Sequence, residues 1–325
     1  MAFATGVGSL PGTEYAEAAA YVLGELDLPF VPELPARGPA STMTGRGVAV
    51  IGDLAFDLQP AGWRLTGTRG VDQRRARTML AHDLDLFEEA GQGFAGAIKT
   101  QLIGPWTLAA TVERPRGDLA LADFGMRREL AQALAEGTRL HLADLKRRVP
   151  QGEWVVQLDE PVLPAVLAGS IPTASGFHRH RRVDRPEVSE HLSWLVDAIR
   201  AEGATPWLHS CAPETPLDLV RGSGVAGLVV DTAVLGPEQL DQVGAALEAG
   251  ETVALGIVPS LESATRRSDA QLTDRVLRLL DMLGLDPEEV SDRLVITTGC
   301  GLAGATPAWA RETFRLSTQV ASALS

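Results

Sequence analysis

Three short stretches of this chain carry side chains that could bind a metal or act as nucleophiles. In WLHSCAPE, residues 207–214, His209 stands two residues before Cys211, one of only two cysteines among 325 residues. The other, Cys300, ends a β-rich run in LVITTGCG, and Asp231 ends another in GLVVDT. An imidazole, two thiols and a carboxylate are donors that Zn2+ takes at about 2.0 to 2.3 Å in a tetrahedral set. Mixed thiolate and imidazole donors favour zinc over copper or iron. Taken singly, each residue also has an ordinary reading. Cysteine is often a small buried hydrophobe, His209 could be a strand-end ring bonded to a carbonyl, and Asp231 could cap a helix, a task Thr232 would do equally well. What separates the two readings is whether the surrounding elements bring the four together.

Those elements are legible as eight β-rich runs with helical patterns between them, the alternation that a helix-wound parallel sheet requires. The runs are FATGVGS near residue 3, PFVPEL near 29, GAIKTQLIG near 96, WVVQLDEP at 154, TPWLHSC at 205, AGLVVDT at 226, TVALGIV at 252 and RLVITTGC at 293. Eight strands of this kind predict an α/β fold, a (β/α)8 TIM barrel forming a single catalytic domain over residues 1–325. Residues 35–70 break the rhythm and predict an inserted β-hairpin or loop after the second strand. A doubly wound open sheet fits less well, because GVGSLPG lacks the helix opening of a glycine-rich phosphate turn. In a barrel the chemistry collects at the C-terminal strand ends. Period-two alternation there puts Val155, Gln157 and Asp159 on one face, Trp207, His209 and Cys211 on another, then Gly227, Val229 and Asp231, and finally Ile296, Thr298 and Cys300. If these faces point inward, His209, Cys211, Asp231 and Cys300 meet at one mouth, where buried charge would need a partner such as zinc.

Composition narrows the function classes. A net charge of -13 argues against affinity for nucleic-acid backbones. No apolar stretch is long enough to span a bilayer, and MAFATGVGSLPG lacks the features of a secretory signal, so the expectation is a soluble cytoplasmic protein. Two distant cysteines in such a chain argue against a disulfide.

With these residues in place, the chain resembles the catalytic C-terminal half of cobalamin-independent methionine synthase, in the zinc branch of the barrel superfamily that also contains uroporphyrinogen decarboxylase. VGSLPGT at residue 7 is similar to the family's I-G-S-F-P-x-T, GPWT at 104 to G-P-x-T, and QLDEP at 157 to Q-I-D-E-P. LHSC at 208 is similar to H-x-C, VVDT at 229 to I-x-I-E-T, and TTGCGLAG at 297 to N-P-D-C-G-L. The resemblance implies zinc ligands at His209, Cys211, Asp231 and Cys300, with aspartate where the family has glutamate. It implies that Val7, Gly8 and Ser9 line a homocysteine site and that Asp159 is the catalytic-centre carboxylate binding the amino group. Two departures stand out. Ala165 replaces an acidic residue that engages methylfolate, and Pro259, in IVPS, replaces the histidine that serves as proton donor.

The implied reaction is zinc-dependent methyl transfer to a thiol, homocysteine becoming methionine. Zinc lowers a thiol's pKa so that a thiolate attacks the methyl group in line. Demethylating a folate amine also needs a general acid, which the departures remove. A methyl-corrinoid, carried by a corrinoid protein, needs none and is the expected donor. A second reading keeps zinc and changes the electrophile, as in the related epoxyalkane:coenzyme M transferase, with the FHRHRR stretch of the 169–186 loop supplying cations for a sulfonate. A third is a zinc-free decarboxylase-like or ligand-binding barrel. His82, His141 and His191 fall within predicted helices at no ligand spacing.

Overall fold

Seven strands of this computed structural model run parallel in one curled sheet, and the model describes residues 1–263 and 266–325. In chain order the strands are β1 (Phe3–Ala4), β2 (Ala55–Gln59), β3 (Gly62–Thr66), β4 (Gly96–Ile103), β5 (Gly152–Asp159), β6 (Thr205–Ser210), β7 (Gly227–Asp231), β8 (Thr252–Val258) and β9 (Leu294–Thr298). The sheet order is β1-β9-β8-β7-β6-β5-β4, every pair parallel, while β2 and β3 form a separate antiparallel pair. Helices precede most of the strands, among them Val71–Ala90 before β4, Phe124–Arg148 before β5, Arg185–Ala201 before β6 and Pro237–Glu248 before β8. Among the described residues no helix is long and apolar enough to cross a membrane.

The run near residue 29 does not form a full strand. Pro29 and Pro32 carry no N–H, so a continuous ladder is impossible there. The segment instead makes single bonds to both edges of the sheet. Leu28 N donates to Ala4 O and Glu33 N to Gly8 O, each at 3.1 Å, while Lys99 N donates to Pro29 O at 2.8 Å and Val31 N to Lys99 O at 2.9 Å. Residues 35–70 hold more than turns and strands. Two short 3-10 turns lead into a helix at Met43–Val50, capped by the Thr42 hydroxyl accepting from Gly45 N at 3.3 Å, before β2 and β3. Gly45 and Gly47 mask that helix in the sequence, because glycine weakens a helical pattern.

The interior of the curl is built in layers. Leu28, Val155, Trp207, Val229, Ala254 and Val295 form an apolar cluster of their own, apart from the larger core between sheet and helices. Two residues further along the strands the same face becomes polar, with Lys99, Gln157, His209 and Thr297 all buried. On β9 the inward set is therefore Val295 and Thr297, while Ile296 packs in the outer core, one residue out of step with the alternation expected from the sequence. Cys300 still reaches the mouth because β9 ends at Thr298 and the chain turns at Gly299, where any Cβ would run into the Asp231 carboxylate.

Of the helical histidines, His141 and His191 are packing residues and His82 is exposed. His191 stacks between Trp106 and Trp194. Burial holds the His141 ring neutral, its pKa pushed down to about 4. The unfolded chain takes up that proton near the ordinary value of 6.5, so the stability this neutral ring contributes is present above that pH and is lost as pH falls through about 4. His141→Gln, which cannot titrate, is expected to lose about 3 kcal/mol less stability than the parent between neutral pH and pH 4, measured by urea unfolding across that range.

Candidate active site

β4, β5 and β6 lead into GPWT, DEP and HSC, and these segments are hydrogen-bonded to one another, Gly104 N to Asp159 O at 2.9 Å and Glu160 N to His209 O at 2.8 Å. Glu160, just past β5, is fully buried and accepts from Trp106 N at 2.9 Å, Thr107 N at 2.8 Å and Thr107 Oγ1 at 2.7 Å. Burial pushes its carboxyl up to about 7, against the pull of those three bonds. The GPWT and DEP segments are thus one unit, closed by a carboxylate at the start of the Pro105–Ala109 helix.

Next to that unit, the mouth of the curl holds a cavity of about 280 Å³. Val7, Gly8, Ser9, Asp159, His209, Cys211 and Cys300 all line it, seven of the eight residues singled out in the sequence. His209, Cys211 and Cys300 place their ligand atoms within 4.8 Å of one another. The His209 Nδ1 lies 3.0 Å from Val229 O, which makes Nδ1 the protonated nitrogen and turns Nε2 toward the sulfurs. The two sulfurs are 2.9 Å apart and share a hydrogen bond. That bond and the one from His209 draw the Cys300 thiol well below its usual range, and the same shared proton holds Cys211 up. Burial opposes charge on the His209 ring, yet the Cys300 bond and the Asp159 carboxylate raise its pKa. Ser260 orients Cys300 from behind: its hydroxyl accepts from Cys300 N at 2.7 Å and donates to Cys300 O at 3.0 Å.

Asp231, the eighth residue, is not a member of that close cluster. Its Oδ1 accepts from Ala233 N at 2.9 Å, an Asx turn that ends β7. The shorter aspartate closes on its own backbone, while Gly299 covers its other side.

The structure adds residues that alternation alone did not reveal. Glu33, Gln101 and Met43 line the same cavity. Glu33 is buried and paired with the equally buried Arg46 at 3.1 Å, and Arg46 lies 3.6 Å from Asp83, which Arg37 also holds. Asp159 accepts from Gln157 Nε2 at 2.7 Å; burial first, and then the Glu33 charge, raise its carboxyl to about 7, against the opposite pull of His209. Two carboxyl groups beside a thiol–imidazole cluster are suited to hold an ammonium group close to a reacting sulfur.

The two departures also have clear surroundings. Pro259 lacks a side chain able to carry a proton, and its carbonyl accepts from Trp309 Nε1 at 3.1 Å. Ala165 sits in the Leu163–Ala168 helix, where its carbonyl accepts from Ser170 N at 2.9 Å. In the basic loop beyond it, His180 is buried on Asp118 at 3.1 Å, and Asp118 also accepts from Ala174 N, so part of FHRHRR serves to fold the loop.

A helix-wound parallel sheet with a thiol–imidazole cluster at its C-terminal strand ends is the arrangement of an α/β enzyme, and the cluster is one that could hold a metal ion. Residues 95–323 match the family described as cobalamin-independent synthase, catalytic domain. The chain belongs to that family and is a methyltransferase of the cobalamin-independent methionine synthase type. Among solved structures it is similar to a B12-independent methionine synthase from Shewanella sp. W3-18-1 in complex with selenomethionine, with 13% identity, 99% of this chain and 97% of that one covered, and a TM-score of 0.64. A methylaspartate ammonia lyase from Clostridium tetanomorphum matches more distantly, at 9% identity over 100% of this chain and 59% of that one, with a TM-score of 0.48.

Gly8 is the tightest point of the cavity wall. Its φ of +152° is a glycine conformation, and a Cβ there would lie 2.5 Å from Gln101 Cδ. Gly8→Ala is expected to cost about 2–4 kcal/mol in urea unfolding, from backbone strain together with overpacking. The Gly8→Ala/Gln101→Ala pair should recover the steric part of that loss, and a Gly8→Ala protein as stable as its parent would contradict this packing.

Proposed function

We propose that the protein is a single-domain (β/α)8 barrel, closed through the 28–33 segment, that transfers a methyl group to the thiol of homocysteine with zinc as its metal. The observation that carries this reading is one cavity containing both the His209–Cys211–Cys300 cluster and two buried carboxyl groups, Glu33 and Asp159. The chemistry of the donor set supports zinc. His209 donates from Nδ1 to Val229 O and so presents Nε2 to the sulfurs, which lie 2.9 Å apart and share a hydrogen bond. His209, Cys211 and Cys300 would hold the ion, with Asp231 as a displaceable fourth ligand once its Asx turn opens. Zinc bound there would lower the pKa of an incoming thiol so that it is ionised at neutral pH.

The protein's own residues do the rest. Asp159 and Glu33 take the ammonium group, Val7, Gly8 and Ser9 wall the amino-acid end, and Ser260 holds Cys300 in place. The sulfur's electron pair forms the new S–C bond while the donor keeps the pair from its broken bond to the methyl group. A folate-type amine leaving that way needs a proton, and Pro259 and Ala165 offer none. The donor is therefore one that leaves without protonation, and a methylated corrinoid, free or on a partner protein, has that chemistry. The reaction belongs to a cytoplasmic enzyme of methionine biosynthesis.

Metal content and turnover test these assignments together. The wild type is expected to carry about one zinc per chain, Cys300→Ser to bind it at least about tenfold more weakly, and Asp231→Ala to retain it. Methionine formation from homocysteine and methylcobalamin should stop on chelation and return with zinc. Activity that survives complete zinc removal sinks the metal assignment, and turnover of methyltetrahydrofolate as fast as methylcobalamin sinks the donor assignment.

A further inference from the structure

Lys99 is fully enclosed in the polar layer of the barrel interior, and the reaction described above makes no use of it. An ammonium group in such a place is costly unless its charge is matched. Its Nζ donates to Val7 O at 2.9 Å and lies 5.2 Å from the Phe30 ring centroid. Gln157 Nε2 donates to the same carbonyl, also at 2.9 Å. Two donors from β4 and β5, one of them cationic, therefore grip a single carbonyl at the start of the VGS segment. Donors on a peptide oxygen withdraw electron density from the amide and make its N–H a stronger donor.

The N–H of that peptide belongs to Gly8. Among the described residues neither Gly8 N nor Ser9 N has a protein acceptor, although Gly8 O and Ser9 O accept from Glu33 N and Leu302 N. Both residues line the cavity. Successive backbone N–H groups without partners at a cavity wall form a site for an anion. Gly8 adds no side chain to block it, and Gln101 lies against the space where a Cβ would stand.

We propose that Lys99 is a positioning residue that fixes and polarises the Val7–Gly8 peptide, so that the N–H groups of Gly8 and Ser9 bind the carboxylate of an amino-acid thiol. The inference rests on the proposed methyl transfer to such a thiol. Lys99 never touches the substrate. It acts through one peptide, and its charge also balances the Asp159 and Glu33 carboxyl groups across the interior. Burial lowers its pKa to about 8 while those two carboxylates work to keep it protonated, so the cation persists at neutral pH. The cavity is then zwitterion-selective, taking an ammonium group at its carboxyl groups and a carboxylate at its peptide edge.

Calorimetric titration of the zinc-loaded protein tests this with two probes, L-methionine and 3-(methylthio)propylamine, which lacks the carboxylate. Lys99→Met is expected to weaken L-methionine binding about 10- to 100-fold and to change amine binding less than about threefold, with zinc content unaltered. A merely structural role would weaken both probes alike, and that result, or unchanged methionine affinity, overturns the proposal. If Lys99→Met does not fold, Lys99→Gln keeps an N–H donor without the charge, and the same selective loss is required of it. A wild-type protein that binds neither L-methionine nor homocysteine overturns the proposed function itself, an outcome separate from any effect of the lysine.

Discussion

A sheet curled on itself must fill its interior with every second side chain of its strands, and any polar group placed there has to find its partner inside. This constraint organises the molecule. The N-terminal part of the interior meets it with apolar side chains, Val155, Val229, Ala254 and Val295 around Trp207. One step along the strands the filling changes to Lys99, Gln157 and His209, and each of these donates to a backbone carbonyl, Val7 O for the first two and Val229 O for the third, while Gln157 Oε1 is left without a partner. The apolar layer keeps water from below, so the bonds above it are strong and the groups are fixed. Reactive side chains can then stand at the mouth in defined positions without being carried on mobile loops.

The same constraint explains why two loops rather than two strands complete the site. The VGS segment leaves β1 early and the GCGL segment leaves β9 early, and they meet where Leu302 N donates to Ser9 O at 2.8 Å. A Cβ on Gly301 would fall 2.1 Å from Ser9 Oγ, so the approach leaves room for hydrogen only. Cys300 is thereby held from both sides, by Ser260 behind and by the VGS segment beside it. A cysteine on regular strand geometry would have followed the pleat, and on β9 the pleat presents Val295 and Thr297 inward instead.

What could be read in the sequence follows from this geometry. Strand alternation is reliable where the strand is long and ends at the functional residue, as in β5 with Asp159 and β6 with His209, and there the expected faces are the observed ones. It fails by one residue on β9, because Cys300 lies beyond the strand and the count runs through a turn. Cluster membership of Asp231 could not be read from spacing, since an aspartate at a strand end can turn its carboxylate back on its own backbone, as this one does on Ala233 N. Glu33 was hidden by Pro29 and Pro32, which disguise the second run as a broken strand. Lys99 and Gln101 look like the exposed half of a half-buried strand, and only the curl of the sheet turns that half inward. The pattern of alternation was legible, but the identity of the wet side was not.

The residues that remain at the mouth divide unevenly between the two halves of a methyl transfer. The groups proposed to hold and activate an amino-acid thiol lie in or beside the polar layer and are heavily cross-bonded: two carboxyl groups, a thiol–imidazole cluster and a gripped peptide. The side on which a donor's leaving group would be protonated has been given to packing. Pro259 spends its carbonyl on Trp309, and Ala165 contributes only its backbone to the helix that precedes the basic loop. Buried charges such as Lys99, Glu33 and Asp159 are costly, and replacing a matched set of them together by apolar residues is often neutral or stabilising, so their presence marks a site in use. Their presence beside the absent acid is the ground on which the proposed change of methyl donor stands.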